Sequence, residues 1–215
     1  MSKFAREIRH KIPQDAFTER DLKLLMRKAT PASRYNKVKR ALASGDLLSL
    51  KRGVYAFSND IRKDGLHLFE ISHLLYDMSY ISLESALSYY GLIPERVSTV
   101  TSVTTKAVAR FKTPLAFFTY EHLPKEMFRH GFRRVKEGNH TFLISTPLKA
   151  VLDTIFLRKK SFSDLDNLAK DLRLDMQQLK EKISDMSNTE LAHYREVYRN
   201  KTIDKFLEQV VWKLR

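Results

Sequence analysis

The chain has 215 residues, with 39 Lys+Arg against 25 Asp+Glu, a formal net charge of +14 and no cysteine. The missing thiols exclude disulfides, thiolate zinc sites, iron–sulfur clusters and a cysteine nucleophile, and the 43% hydrophobic and 11% aromatic content excludes a disordered chain. No uncharged apolar run approaches the ~18 residues of a membrane span, and Met1 to Glu7 lack the apolar core of a secretory signal. The expectation is a soluble cytoplasmic protein with no membrane association. Its length suits one domain or two small ones sharing a modest core.

The charge is unevenly spread. Residues 1–65 hold 16 basic and 7 acidic side chains, residues 66–160 hold 13 and 8, and residues 161–215 hold 10 of each. Most of the excess therefore lies in the first third, as expected of a nucleic-acid-binding module joined to a second unit. The polar stretch Ser58 to Gly65 marks the boundary. It divides a DNA-binding domain over 1–60 from a second domain over 66–215.

In chain order, Phe4, Ile8 and Ile12 recur at helical spacing and Pro13 closes that first helix. Thr18 can cap a second helix, with Glu19 and Asp21 in its first turn and Leu22, Leu25 and Met26 inward. Thr30-Pro31 repeats the start signal for a third helix, which Gly45 stops. On that helix the spacing puts Tyr35, Val38 and Leu42 on an apolar side. Ser33, Asn36, Lys37 and Arg40 fall opposite, flanked by Arg34 and Lys39. Arg, Lys and Asn are the residue types that read base edges and hold phosphates. Leu47 to Leu50 and Val54 to Phe57 then flank Lys51-Arg52-Gly53, a hairpin with a basic turn. Three helices followed by a basic-tipped hairpin form the order of a winged helix-turn-helix, whose second motif helix enters the major groove. The candidate DNA-binding residues are Ser33, Arg34, Asn36, Lys37, Arg40, Lys51 and Arg52.

Beyond the boundary, Leu66 to Tyr76 and Ser82 to Tyr90 read as helices, and Val97 to Thr105 as a β-branched strand. Ala116 to Tyr120 and Thr141 to Ser145 read as two more strands, with a turn at Gly138-Asn139-His140. Thr146-Pro147 opens a helix with Ala150, Val151, Ile155 and Phe156 inward. Leu165/Leu168/Leu172, Leu179/Ile183/Met186 and Ile203/Leu207/Val210/Val211 continue the helical pattern to the end. The expected fold is α+β: an N-terminal winged helix, then a small sheet flanked by helices with a helical C-terminus. The pairs Tyr89-Tyr90 and Phe117-Phe118 are read as core.

Three segments together resemble the AbiEi-type antitoxins: Leu50-Lys51-Arg52-Gly53-Val54-Tyr55, Ser85-Ala86-Leu87 leading to Tyr90-Gly91-Leu92, and Ser145-Thr146-Pro147-Leu148-Lys149-Ala150-Val151-Leu152-Asp153. Leu148 stands where that family favours an acidic residue, and Val151 where it favours Leu. The resemblance implies the antitoxin and autorepressor of a type IV toxin–antitoxin module. Its winged helix would bind inverted repeats of double-stranded DNA in its own promoter. Its C-terminal domain would counter a nucleotidyltransferase-like toxin without a stable complex.

No catalytic set is legible. Seven His are scattered without metal-ligand spacing, there is no phosphate loop, and Asp164 and Asp166 suit a helix start better than metal-dependent cleavage. Asp153 follows an apolar helix face, and its local sequence names no partner. The expectation is a non-enzyme without cofactor or metal. One winged helix reads few base pairs, so two copies on repeated half-sites are expected. Two alternatives stay open: a protein-binding module that neutralises a partner by direct contact, and a ligand-responsive regulator without a toxin.

Overall fold

The computed structural model describes residues 1–95 and 97–214, and the side chains up to residue 210. Val211, included in the last helical pattern, is outside the described side chains.

The first unit comprises α1 (Lys3–Lys11), β1 (Ala16–Thr18), α2 (Glu19–Leu25), α3 (Pro31–Ala43), β2 (Leu47–Lys51) and β3 (Val54–Phe57). Local chemistry sets these limits. Thr18 caps α2 in a reciprocal box with Asp21, and Thr30 caps α3 with Pro31 in its first turn. Gly45, at φ +74°, supplies the left-handed residue that ends α3. β1 is a strand that the sequence patterning misses, because three residues are too short to show alternation. It pairs antiparallel with β3, giving the sheet order β1-β3-β2.

That sheet separates two cores. Alternation sends Phe17 and Phe57 toward one side, where they join Ile8, Ile12, Leu22, Val38, Ala41 and Leu47. Ala16, Val54 and Ala56, with Leu50, point the other way into the core of the second unit. The polar stretch at 58–65 is also fastened. Asp15, buried beneath it, accepts backbone N–H groups from Lys63 (3.0 Å), Asp64 (2.8 Å) and Gly65 (2.8 Å) and pairs with Arg9 at 2.7 Å. Burial pushes the Asp15 carboxyl up, but these bonds and Arg9 outweigh it and hold it below the usual carboxylate range.

The second unit is built on a six-stranded mixed sheet of order β6-β7-β5-β4-β9-β8. Its elements are α4 (Leu68–Leu75), β4 (Ser79–Ile81), α5 (Leu83–Tyr89), β5 (Thr99–Thr104), β6 (Ala109–Lys112), β7 (Phe117–His122), α6 (Lys125–Phe128), β8 (Phe132–Glu137), β9 (His140–Ser145) and α7 (Pro147–Leu157). Four helices follow: α8 (Leu165–Leu172), α9 (Met176–Ile183), α10 (Asn188–Tyr198) and α11 (Lys201–Leu214). β4 runs parallel to β9 and β5 parallel to β7; the remaining neighbours are antiparallel. The architecture is α+β. Asp164 caps α8 by accepting the Asn167 N–H, as its position suggested. Of the paired aromatics, Phe118 and Tyr90 are core, whereas Phe117 is 39% exposed.

At the centre lies a closed polar network. Lys149, fully buried, donates to Asp153 one turn along α7 and to the Tyr198 hydroxyl at 2.8 Å. Tyr198 donates in turn to Asp153 at 2.5 Å, and the Ser82 hydroxyl donates to its other oxygen at 2.7 Å. This corrects the reading that the local sequence names no partner for Asp153: Lys149, four residues earlier on α7, is one, while Ser82 at α5's cap and Tyr198 of α10 come from afar. Burial pushes the Lys149 ammonium down, with Asp153 acting against that shift.

Candidate nucleic-acid interface

α3 is seated by Arg34, Val38 and Ala41, the side chains it buries. They follow the i, i+4, i+7 spacing of one helix face. Arg34 reaches down to the base of the module: its Nε donates to Glu19 at 3.1 Å and its terminal nitrogen to the Ala29 carbonyl at 2.7 Å. The row turned to solvent is consequently Tyr35, Asn36, Lys39 and Arg40. Tyr35 is 65% exposed.

This rotates the helix relative to the sequence expectation. Tyr35 does not dock the helix, and Arg34 does, because an arginine with an acid and a carbonyl at its tip buries its stem at little cost. Arg34 therefore stands apart from the exposed row. Ser33 and Lys37 lie half-buried, and the Lys37 ammonium sits 6.0 Å from the centre of the Phe4 ring of α1. Between α1 and α3, Lys3, Lys37 and Arg40 line a shallow groove of about 390 Å³, opposite Glu7.

Asn36 and Arg40 remain where expected. Arg40 is held along the helix by a 3.3 Å bond from its Nε to the Asn36 carbonyl. Among the described residues, neither Lys39 nor Arg40 forms an ion pair, nor does Arg52. Arg20 and Lys23 on α2, with Arg27 and Lys28 in the turn to α3, add four more exposed cations to the same module.

The hairpin turn is Arg52-Gly53, with a register shift between Ser49 and Lys51. Arg52 is exposed, but Lys51 is not free. Its ammonium donates to the Leu75 carbonyl and lies 4.8 Å from the centre of the Phe111 ring, and burial pushes its pKa down. Placing Lys51 on an open turn overlooked the second unit, which covers that side of the hairpin. Lys51 is a joint between the two units.

The arrangement offers an amide, an ammonium, a guanidinium and an aromatic hydroxyl along one helix face. Such a set can bond base edges and phosphates. Lys39 and Tyr35 are the members that hydrophobic labelling underrated; the spacing of Arg34, Val38 and Ala41 carried the correct phase. Among the described residues no group of His, Asp and Glu could hold a metal ion. No protein-family model matches the chain, and no curated protein matches it.

Proposed function

We propose that the protein is a sequence-specific DNA-binding repressor of winged-helix type, and that it serves as the antitoxin of a two-gene module. The observation that carries the first part is the exposed α3 row, Asn36, Lys39 and Arg40 with Tyr35, on the helix that follows a helix and a short turn. The order helix, strand, helix, helix, hairpin supports it, as does the exposed Arg52 on the hairpin turn, whose Gly53 carbonyl accepts the Glu19 N–H at the start of α2. α3 then lies in the major groove, with Asn36 and Arg40 at base edges and Arg52 on a phosphate. Two copies on inverted repeats upstream of the protein's own gene supply enough base contacts for useful specificity.

The antitoxin role rests on the three segments that resemble the AbiEi-type proteins. Two of them are joined in the core, where the Tyr90 hydroxyl donates to the Ser145 carbonyl at 2.7 Å. A buried polar core of this kind gives a physical reason for those residue types to occur together. In this reading the second unit counters a nucleotidyltransferase-like toxin without forming a stable complex.

The test is binding of the Asn36→Ala/Arg40→Ala double variant to the duplex upstream of its gene. Loss of at least about tenfold in affinity, with an unchanged unfolding midpoint, supports the reading. Parent-like binding by a folded variant refutes it. For the second role, co-expression with the neighbouring nucleotidyltransferase-like protein should restore growth, and the two should elute separately in size exclusion.

A further inference from the structure

A groove of about 660 Å³ opens on the face opposite the sheet's β6 edge, between the ends of β8 and β9 and helices α7, α9 and α10. Its volume is in the range of small-molecule sites. Its apolar floor includes Pro147, Leu148, Ile183 and Met186, with the Tyr194 ring. The basic groups around it come from separate elements: Arg133 from β8, Lys182 from α9, and the imidazoles of His130 and His193 from the α6 end and α10. Neither Arg133 nor Lys182 forms an ion pair among the described residues, although the Arg133 guanidinium lies 5.7 Å from the centre of the Tyr90 ring.

The acid in the lining is Glu190, and its carboxylate is already engaged. It accepts the Ser187 backbone N–H at 2.8 Å and the Ser187 hydroxyl at 3.0 Å as the cap of α10. The two imidazoles stand edge to face with ring centres 4.5 Å apart. Burial pushes the His130 pKa down, and His193, Lys149 and Arg129 push it further. The wall is also closely fitted. Gly131 has φ +72°, and a Cβ there would lie 2.4 Å from the Tyr194 hydroxyl and 3.0 Å from the Lys149 side chain.

An apolar floor beside two cations without ion partners, with one oxygen of its lining acid held by Ser187, is complementary to an amphipathic anion. We propose that this groove binds a small organic anion: a carboxylate or phosphate on a flat apolar body. The acid group lies among Arg133, Lys182 and the imidazoles, and the body lies against Met186 and Tyr194. The anion offsets the burial and repulsion that disfavour charge on His130, so binding takes up a proton and tightens as pH falls through the imidazole range. The limit is about tenfold per pH unit for each proton taken up. The groups that face the pair are Arg129, Arg133, Lys149, Lys182, Glu190 and Tyr194.

The experiment is titration calorimetry of the full chain, without DNA, against 2-naphthoate and 1-naphthyl phosphate. Naphthalenemethanol and inorganic phosphate serve as the neutral and non-apolar comparisons, at pH 6 and pH 8. The expected result is saturable one-to-one binding of at least one naphthyl anion, tighter at pH 6 and at least about tenfold tighter than either comparison. Arg133→Ala/Lys182→Ala should lose at least about tenfold. His130→Gln/His193→Gln should bind with a flattened pH response, provided each variant keeps the parent's circular dichroism and unfolding midpoint. Absence of saturable binding by both naphthyl anions overturns the proposal. So does inorganic phosphate binding as tightly, or binding unchanged in the Arg133/Lys182 variant. Because DNA is absent, failure here leaves the repressor reading standing, and the converse holds.

Discussion

Arg34 and Tyr35 are neighbours whose environments invert their hydrophobic labels. Arg34 is 7% exposed because Glu19 and the Ala29 carbonyl take its donors, whereas Tyr35 is 65% exposed. Arg34→Ala should therefore lower stability by about 1–3 kcal/mol in urea unfolding. Tyr35→Ala should change it by no more than about 0.5 kcal/mol while weakening binding to the upstream duplex. The reverse ranking would mean that α3 is turned the other way. The buried Lys149–Asp153 pair invites a second residue-level comparison. Lys149→Met strands a charge inside the protein and should cost about 3–5 kcal/mol. Adding Asp153→Leu should recover a large part of that loss. A double variant as unstable as the single one would show that the carboxylate is not what suffers.

The capped helices were legible element by element, since Thr18, Thr30-Pro31, Asp164 and Gly45 act through bonds within a few residues of themselves. Elements defined by distant partners were not. β1 exists because β3 lies beside it; of the two edge strands, β6 alternates over only four residues, and the Arg and Lys of β8 break its alternation. The phase of α3 was misread for the same reason: Glu19, fifteen positions earlier, decides it. The segment at 58–65 looked like a linker, yet Asp15 gathers its backbone from about fifty residues away. Asp15→Asn should lower stability by about 2–4 kcal/mol near neutral pH, since Arg9 loses its counter-charge. The folded-state pKa of Asp15 is depressed, so its contribution is fully present above the unfolded value of about 4 and disappears as pH falls through the folded one. The parent and variant unfolding midpoints should accordingly converge in acid. A gap that stays constant down to the lowest folded pH would contradict this account of the clasp.

For the molecule as a whole, the small sheet faces two cores and Lys51 bridges to Leu75 and Phe111, so the basic module is seated on the larger unit. The charge asymmetry along the sequence identified which third was basic; it could not say that Lys51 would be consumed by the joint. In the proposed complex, Arg52 takes the phosphate role and Arg40 a base role. Arg40→Ala should cost about 1–3 kcal/mol on the specific duplex and relax its specificity. Arg52→Ala should weaken all duplexes alike and reduce the salt slope by about 1. The most direct measurement is fluorescence anisotropy of the full chain with the DNA upstream of its own gene and with a scrambled duplex, titrated with salt. The account predicts a steep salt slope and a preference of at least ~10³-fold for the native duplex. Equally weak binding to both duplexes would contradict it, leaving the exposed face of α3 as no more than a polyanion-attracting surface.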